Sequence, residues 1–265
     1  MRTALTIAGS DSGGGAGIQA DLKTFAAHGV YGLSAITAVT AQNTRGVSAV
    51  EVLTPGIVVA QVAAVVDDFA VGAVKTGMLA NAAVVGAVAR VLRVAHVGPL
   101  VVDPVMVAKS GDRLLDDQAI GALMRELLPL AAVVTPNLPE AGALAGLAIR
   151  SAEDQREAAR RIAGTGAQAV IVKGGHADTP DIVDLLFDGR SFNEFRHERV
   201  PGTSTHGTGC TFSAAIAAQL ALGRGIEEAI PLAQAYVAKA IRNAPGLGTG
   251  HGPMGHPLNL GQVGG

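Results

Sequence analysis

The chain has no tryptophan, a single cysteine, 3 % aromatic residues and a formal net charge of −2 at pH 7. One cysteine excludes an internal disulfide and a cysteine-based zinc site, and it is compatible with a reducing compartment, so we expect a cytoplasmic protein. The small net charge provides no field that would attract nucleic acid or an anionic membrane, so neither is an expected partner. An anionic ligand would have to be held by a local site.

Long hydrophobic runs are also missing. The apolar segment at the N-terminus is interrupted at Gly9 and Asp11, so it is too short for a signal sequence or a membrane span. No linker or repeat divides the 265 residues, which predicts one domain over 1–265 with a loop-like tail over 246–265. The tail histidines, His251 and His256, are expected at the surface.

Short runs rich in Val, Ile and Leu alternate with helical patterns, which predicts a mostly parallel sheet flanked by helices. The predicted strands are 4–8, 33–39, 73–75, 100–103, 132–135 and 169–173. The predicted helices are 18–28, 57–69, 82–95, 117–128, 138–144, 153–165, 211–222 and 226–243. A further strand over 47–53 and a hairpin over 181–187 and 192–199 would make the sheet mixed at one edge.

A glycine-rich turn, Gly207-Thr208-Gly209, leads through Cys210 into an apolar segment of small residues that we predict to be helical. The first N–H groups of a helix lack internal partners and carry the positive end of its dipole, so this junction suits an anion. The same position favours a thiolate, so we expect a lowered pKa at Cys210. The alternative is a capping turn beside a buried free cysteine; the thiol on the first turn favours function.

Polar residues follow the predicted strands, and ligands of open parallel sheets bind at the carboxyl ends of strands. The amide of Gln42 offers donors and an acceptor, which suits an aminopyrimidine edge, although a loop role is the alternative. Asp103 and Glu140 supply oxygens of the kind that hold a magnesium ion bridging nucleotide phosphates. The alternatives are a helix cap near Asn137 and a solvated Glu140. Lys173, beside two glycines, can approach a phosphate as a point charge.

Five segments, 8–23, 40–44, 101–106, 135–140 and 207–210, together resemble the hydroxymethylpyrimidine/phosphomethylpyrimidine kinases of thiamine biosynthesis, which belong to the ribokinase-like superfamily. The resemblance follows nearly the whole chain in matching order. It implies a three-layer α/β fold with a mostly parallel central sheet, flanking helices and an antiparallel edge. It also implies ATP and Mg²⁺ as cofactors, a homodimer, and phosphorylation of 4-amino-5-hydroxymethyl-2-methylpyrimidine and then of its monophosphate to the pyrophosphate.

The resemblance also implies a role for each matching residue. Cys210 would be the general base, and Gly207, Thr208 and Gly209 would form an anion hole for the transferred phosphoryl group. Gln42 would hold the pyrimidine, with Gly9, Asp21 and Met78 around it. Asp103 and Glu140 would act near magnesium, and Asn137 and Lys173 near the ATP phosphates. Sugar kinases of the superfamily carry an aspartate where this chain has Cys210.

Three other functions stay open at this point. A pyridoxal or pyridoxine kinase would use a similar flat heterocycle with a hydroxymethyl group. A nicotinamide-dependent oxidoreductase would use the N-terminal glycines, but the acidic residue that usually closes the second strand is absent. A non-catalytic vitamin-binding protein on the same fold would not need Cys210, Lys173, Glu140 and Asp103 together.

Overall fold

The computed structural model describes residues 1–107, 111, 114–176, 181–202 and 204–257. The strands are β1 (Thr3–Asp11), β2 (Tyr31–Gln42), β3 (Val47–Val52), β4 (Ala73–Thr76), β5 (Leu100–Val102), β6 (Val133–Val134), β7 (Val170–Val172), β8 (Asp181–Phe187) and β9 (Phe192–Glu198). The helices are α1 (Gly17–Ala27), α2 (Pro55–Val66), α3 (Ala82–Val94), α4 (Asp117–Ala122), α5 (Leu138–Ala145), α6 (Ala152–Ala163), α7 (Thr208–Ala221) and α8 (Ile226–Arg242). None of the helices in this part of the chain is long and apolar enough to span a membrane.

Within the described residues the strands form one sheet in the order β3-β2-β1-β4-β5-β6-β7-β8-β9. The six strands from β2 to β7 in this order are parallel, because helical segments return the chain to the same end of the sheet. β3 pairs antiparallel with β2, β8 pairs antiparallel with β7, and β9 pairs antiparallel with β8. The mostly parallel sheet is therefore confirmed, but antiparallel strands lie at both edges and not only at the predicted one.

Apolar side chains alternate between the two faces of the sheet, so each face packs against its own layer of helices. Leu5, Val74 and Val102 pack against the layer formed by α2 to α6. Val101 and Ile171 face the opposite way, toward α1, α7 and α8. The result is the expected three-layer arrangement, with α7 lying over the central strands.

The largest departures from the predicted boundaries lie at helix ends. The predicted helix over 117–128 is α4 followed by a π-helical turn (Leu123–Leu127) and a 3-10 turn (Leu128–Leu130). Pro129 lacks the N–H that would continue the helix. α7 begins at Thr208, three residues earlier than predicted, because Gly207 adopts a left-handed conformation with φ of 83° and ends the preceding loop. Cys210 is therefore the third residue of α7.

The C-terminal segment is irregular, as expected, but it packs against the domain; residues 258–265 lie outside the described part. Met254 is buried, and the backbone of His206 donates to Gly252 O at 3.2 Å. His256 is half-buried with Nε2 3.0 Å from Thr211 Oγ1, and burial lowers its pKa to about 4. The surface position expected for His256 is therefore wrong, whereas His251 is exposed.

Candidate active site

A cavity of about 580 Å³ opens at the carboxyl ends of the parallel strands. Its walls come from the glycine-rich segment after β1, the ends of β2, β4 and β5, and the N-terminal turns of α5 and α7. This is the edge at which ligands bind in open parallel sheets. The predicted site residues that line it are Gly9, Gln42, Met78, Asp103, Asn137, Glu140, Lys173, Gly207, Thr208, Gly209 and Cys210.

The entrance of α7 forms one wall of the cavity. A side chain at Gly207 would collide with the carbonyl oxygen of Gly15, so this turn requires glycine. A Cβ at Gly209 would lie 3.3 Å from Lys173 Nζ, so the bare backbone lets the lysine approach the helix end. Among the described residues no side chain caps this turn. The N–H of Thr208 makes a long contact of 3.4 Å with the carbonyl oxygen of Thr205, so the N–H groups that this turn offers to an anion are those of Gly207 and Gly209.

Cys210 faces this cavity, but its thiol is not the low-pKa group that we expected. Burial raises the pKa of Cys210 to about 11, although the positive charge of Lys75 and a hydrogen bond from the backbone of Gly17 act in the opposite direction. The free-energy cost of removing the thiolate from water is larger than the stabilisation of the thiolate by these groups and by the helix end. The predicted lowering of the thiol pKa is therefore wrong, and the thiol is protonated at neutral pH.

Asp103 and Lys173 form a second wall. Lys173 Nζ lies 3.2 Å from Asp103 Oδ1, and the side chains are 14 % and 2 % exposed. Asp103 Oδ2 is buried and has no hydrogen-bond partner within the described part of the chain. Burial alone lowers the pKa of Lys173, but the charges of Asp103 and Glu140 outweigh it and the net shift is upward. Among the described residues this carboxylate oxygen is therefore available to a ligand.

Glu140 and Asn137 meet at the start of α5. Glu140 Oε2 accepts from the backbone N–H of Asn137 at 2.8 Å, and Asn137 Oδ1 accepts from the backbone N–H of Glu140 at 2.9 Å. The helix cap considered for Asn137 is therefore present. Glu140 is buried and not solvated, and burial together with the charge of Asp103 raises its pKa to about 7, against the opposing charge of Lys173.

The donor set near Asp103 fits a magnesium ion. Mg²⁺ prefers oxygen ligands and usually takes one or two carboxylates together with waters and substrate phosphates. Asp103 offers an unpartnered carboxylate oxygen, and Glu140 a second carboxylate in the same cavity. The described residues contain no cluster of three or more acidic, histidine or cysteine side chains, so a site closed by protein ligands alone is not formed there.

Gln42, Gly9 and Met78 also line the cavity. A Cβ on Gly9 would lie 3.3 Å from Met78 Sδ, so the two residues are packed together. An apolar side chain and a side-chain amide in one cavity suit a heterocycle, which needs both apolar contact area and partners for its polar edge.

Asp21, which we expected beside the substrate, does not line the cavity. It is fully buried, and its carboxylate lies 2.8 and 2.9 Å from Lys75 Nζ while accepting from Thr6 Oγ1 at 2.6 Å. Burial is the main reason that the pKa of Asp21 is raised despite the charge of Lys75. Asp21 lies behind Lys75, which does line the cavity, and its charge also contributes to the raised pKa of Cys210.

Lys75 was missed as a site residue. Burial alone lowers its pKa, but the charges of Asp21, Cys210 and Asp103 outweigh this effect and raise it. The sequence signal was a single charged residue in the buried strand β4, because an uncompensated lysine is not tolerated in such a strand.

Asp11 and His206 were also missed. Asp11 Oδ1 accepts from the N–H of Gly13 at 2.8 Å, and Oδ2 accepts from the N–H groups of Gly15 and Ala16 at 3.0 and 2.9 Å. His206 Nε2 lies 3.0 Å from the same Oδ2. Burial raises the pKa of Asp11, but these hydrogen bonds outweigh it and the net shift is downward. The signal was an aspartate that ends a strand and precedes a run of glycines.

A helix end that offers N–H groups, a carboxylate–lysine pair and the Gln42 amide share one cavity, an arrangement that suits a phosphotransferase. The sequence profile of the family described as Phosphomethylpyrimidine kinase matches residues 11–255. The chain therefore belongs to the phosphomethylpyrimidine kinase family, as the resemblance in the sequence predicted.

Individual relatives agree with this assignment. A hydroxymethylpyrimidine/phosphomethylpyrimidine kinase of Bacillus subtilis (strain 168) is 50 % identical over 254 residues, which cover 96 % of this chain and 94 % of the relative. The thiamine biosynthesis bifunctional protein ThiED of Geobacter sulfurreducens is 53 % identical over 96 % of this chain, which spans 52 % of that relative. The pyridoxal kinase of Bacillus subtilis, whose crystal structure was solved as an ADP complex, has 40 % sequence identity to this chain. The two structures superpose with a TM-score of 0.89, and 97 % of each chain is covered.

Proposed function

We propose that this protein transfers the γ-phosphoryl group of ATP to 4-amino-5-hydroxymethyl-2-methylpyrimidine and then to its monophosphate, in thiamine biosynthesis. The observation that carries the proposal is the meeting of three features in one cavity: the open helix end with Cys210, the incompletely paired Asp103 beside Lys173, and the amide of Gln42. The match to the phosphomethylpyrimidine kinase family and the similarity to a hydroxymethylpyrimidine/phosphomethylpyrimidine kinase of Bacillus subtilis support the proposal.

The protein's part in the transfer is mainly positioning and charge neutralisation. The hydroxymethyl oxygen forms a bond to the γ-phosphorus, the bond from that phosphorus to the β–γ bridging oxygen breaks, and ADP leaves with the bond's electrons. The N–H groups of Gly207 and Gly209 and the charge of Lys173 stabilise the equatorial oxygens. Asn137 lies beside Lys173 near the phosphates, since the backbones of these residues form a bridge.

Cys210 takes the proton of the substrate hydroxyl, and only its thiolate can do so. Because the thiol pKa is about 11, the thiolate is a minor form at neutral pH. We therefore expect kcat to rise with pH from neutrality toward that value, and we expect this rise to be absent in Cys210→Ser.

Asp103 and Glu140 would hold Mg²⁺, which when bound neutralises charge on the nucleotide phosphates. In the same cavity Gln42 holds the pyrimidine edge, with Gly9 and Met78 against the ring. The second phosphorylation uses the same residues with the substrate shifted outward by its own phosphate.

A pyridoxal kinase is the second candidate, because a solved structure with 40 % identity and a TM-score of 0.89 is described as one. The test is a ranking of kcat/KM with Mg-ATP for hydroxymethylpyrimidine, its monophosphate and pyridoxal. We expect both pyrimidines to exceed pyridoxal. A higher value for pyridoxal than for both would overturn the proposal in favour of the second candidate.

We further propose that the single kinase domain acts in the cytoplasm as a homodimer. The sequence suggested the hairpin over 181–199 as a contact, and exposed apolar side chains at the other sheet edge, Tyr31, Val39 and Val50, offer a second surface. Light scattering should give twice the 26.6 kDa chain mass. A mass of one chain at micromolar concentration would refute the dimer.

A further inference from the structure

The amide of Gln42 lies between two buried polar side chains that also have other partners. Gln42 Nε2 lies 3.3 Å from His206 Nε2, and Gln42 Oε1 lies 3.1 Å from Thr40 Oγ1. His206 and Thr40 are 7 % and 4 % exposed, so water does not compete freely for them. The backbone of Gln42 is fixed as well, since Ser12 Oγ accepts from its N–H at 2.8 Å and donates to its carbonyl at 2.7 Å.

The donors and acceptors that His206 and Thr40 present determine which end of the Gln42 amide faces each of them. The ionised carboxylate of Asp11 can only accept, so His206 Nε2, 3.0 Å from Asp11 Oδ2, must carry a hydrogen. That nitrogen is then a donor and cannot accept from the NH₂ group of Gln42. The two ends of a glutamine amide are nearly equal in size, and their partners decide the assignment.

Thr40 leads to the same conclusion independently. Its hydroxyl has one hydrogen and lies 2.9 Å from the carbonyl oxygen of Ser10, which can only accept. Once that hydrogen is donated to Ser10, Thr40 Oγ1 presents lone pairs to Gln42. After a half-turn of the amide, the NH₂ group donates to Thr40 Oγ1, and the amide oxygen faces the one N–H of His206 Nε2, which Asp11 Oδ2 and this oxygen then share in a three-centre hydrogen bond.

We infer that His206 and Thr40 lock the Gln42 amide in this one orientation, so the cavity recognises the order of hydrogen-bonding groups on a ligand edge. His206 is held in turn by Asp11 and by the C-terminal segment, through Gly252. One hydrogen and one lone pair of the amide remain for the ligand, in fixed order. The inference rests on the proposed function, in which Gln42 holds the pyrimidine; Thr40 and His206 are positioning residues.

The order of groups distinguishes two otherwise similar ligands. The amino-pyrimidine presents an accepting ring nitrogen beside a donating amine. Its 4-oxo analogue, 5-hydroxymethyl-2-methylpyrimidin-4(3H)-one, presents a donating ring N–H beside an accepting carbonyl. A freely turning glutamine pairs with either edge by reversing its amide, whereas a locked amide leaves polar groups of the analogue unpaired.

The test is calorimetric measurement of Kd for both compounds with the full-length protein. We expect wild type to favour the amino compound by on the order of 100-fold. Thr40→Val removes the hydroxyl at nearly constant volume and should reduce that ratio about tenfold, while Thr40→Ser restores it. A variant that is only destabilised would lower both affinities and leave the ratio unchanged.

If the variants do not fold, the ratio of the two Kd values for the wild-type protein still tests the inference. Tight binding of both compounds within threefold overturns the lock and leaves the proposed function standing. Binding of neither compound overturns both. A Thr40→Val ratio equal to that of wild type, with Thr40→Ser also unchanged, shows that Thr40 does not set the orientation and refutes the inference.

Discussion

Two lysine–carboxylate pairs lie beside the same cavity, and they differ in how completely they are satisfied. Lys75 and Asp21 are fully buried, with both carboxylate oxygens bonded to the lysine and one also to Thr6. In the second pair, Lys173 contacts only one oxygen of Asp103, and the other oxygen is buried without a partner in the described structure.

The difference separates a structural pair from a functional one. A buried charge is tolerated when it is paired and hydrogen-bonded, and both carboxylate oxygens of Asp21 meet that condition through Lys75. Asp103 meets it only when a ligand arrives. Sites of catalysis commonly keep such unsatisfied groups, and the protein offsets their cost elsewhere in the fold.

Breaking the satisfied pair should produce the largest effect on stability. Lys75→Met leaves Asp21 as an uncompensated buried charge, and we expect the free energy of unfolding to fall by about 3–5 kcal/mol. Denaturant titration measures the change, with Lys75→Met/Asp21→Leu as the control that removes both charges and should recover most of the loss. A single variant as stable as wild type would show that the pair is not structural.

Disrupting the pair of Asp103 and Lys173 should instead reduce catalysis. Asp103→Asn removes the charge that the site reserves for its ligand, and we expect kcat to fall on the order of 10²–10³-fold. Thermal stability without ligand should fall less than in Lys75→Met, because Lys173 is partly exposed and keeps the nearby charge of Glu140 after Asp103 is neutralised. An equal loss of stability in Asp103→Asn and Lys75→Met would remove the distinction between the pairs.

Glu140 provides a smaller test through pH. Its pKa is raised from 4.5 to about 7, so the folded state binds more protons than the unfolded chain between these values. Stability without ligand should therefore decrease as pH rises from 4.5 to about 7, by up to about 3 kcal/mol from this group. Glu140→Gln should flatten that part of the profile. An unchanged slope would show that Glu140 does not titrate there.

The sequence predicted the parts of the molecule that depend on local pattern. Buried strands, the helix cap considered near Asn137, and the glycine turn before α7 all follow from short-range rules. Residues at strand ends could also be collected into one site, because a parallel sheet brings its carboxyl ends together.

The features that could not be predicted from the sequence depend on contacts between residues far apart in the chain. The raised pKa of Cys210 results from burial by elements far along the chain, which overrides the local effect of the helix end. The pairing of Asp21 with Lys75 spans 54 residues and that of Asp11 with His206 spans 195, so neither follows from spacing. The resemblance placed Asp21 around the substrate, whereas in the structure its carboxylate is bonded to Lys75 and Thr6.

The central claim is that phosphoryl transfer occurs where Cys210 meets the open end of α7. The most direct measurement is kcat for Cys210→Ala with Mg-ATP and hydroxymethylpyrimidine, together with Kd for both substrates by calorimetry. We predict a kcat lower by about 10²–10⁴-fold, with both Kd values within about twofold of wild type. A kcat equal to that of wild type would contradict the account.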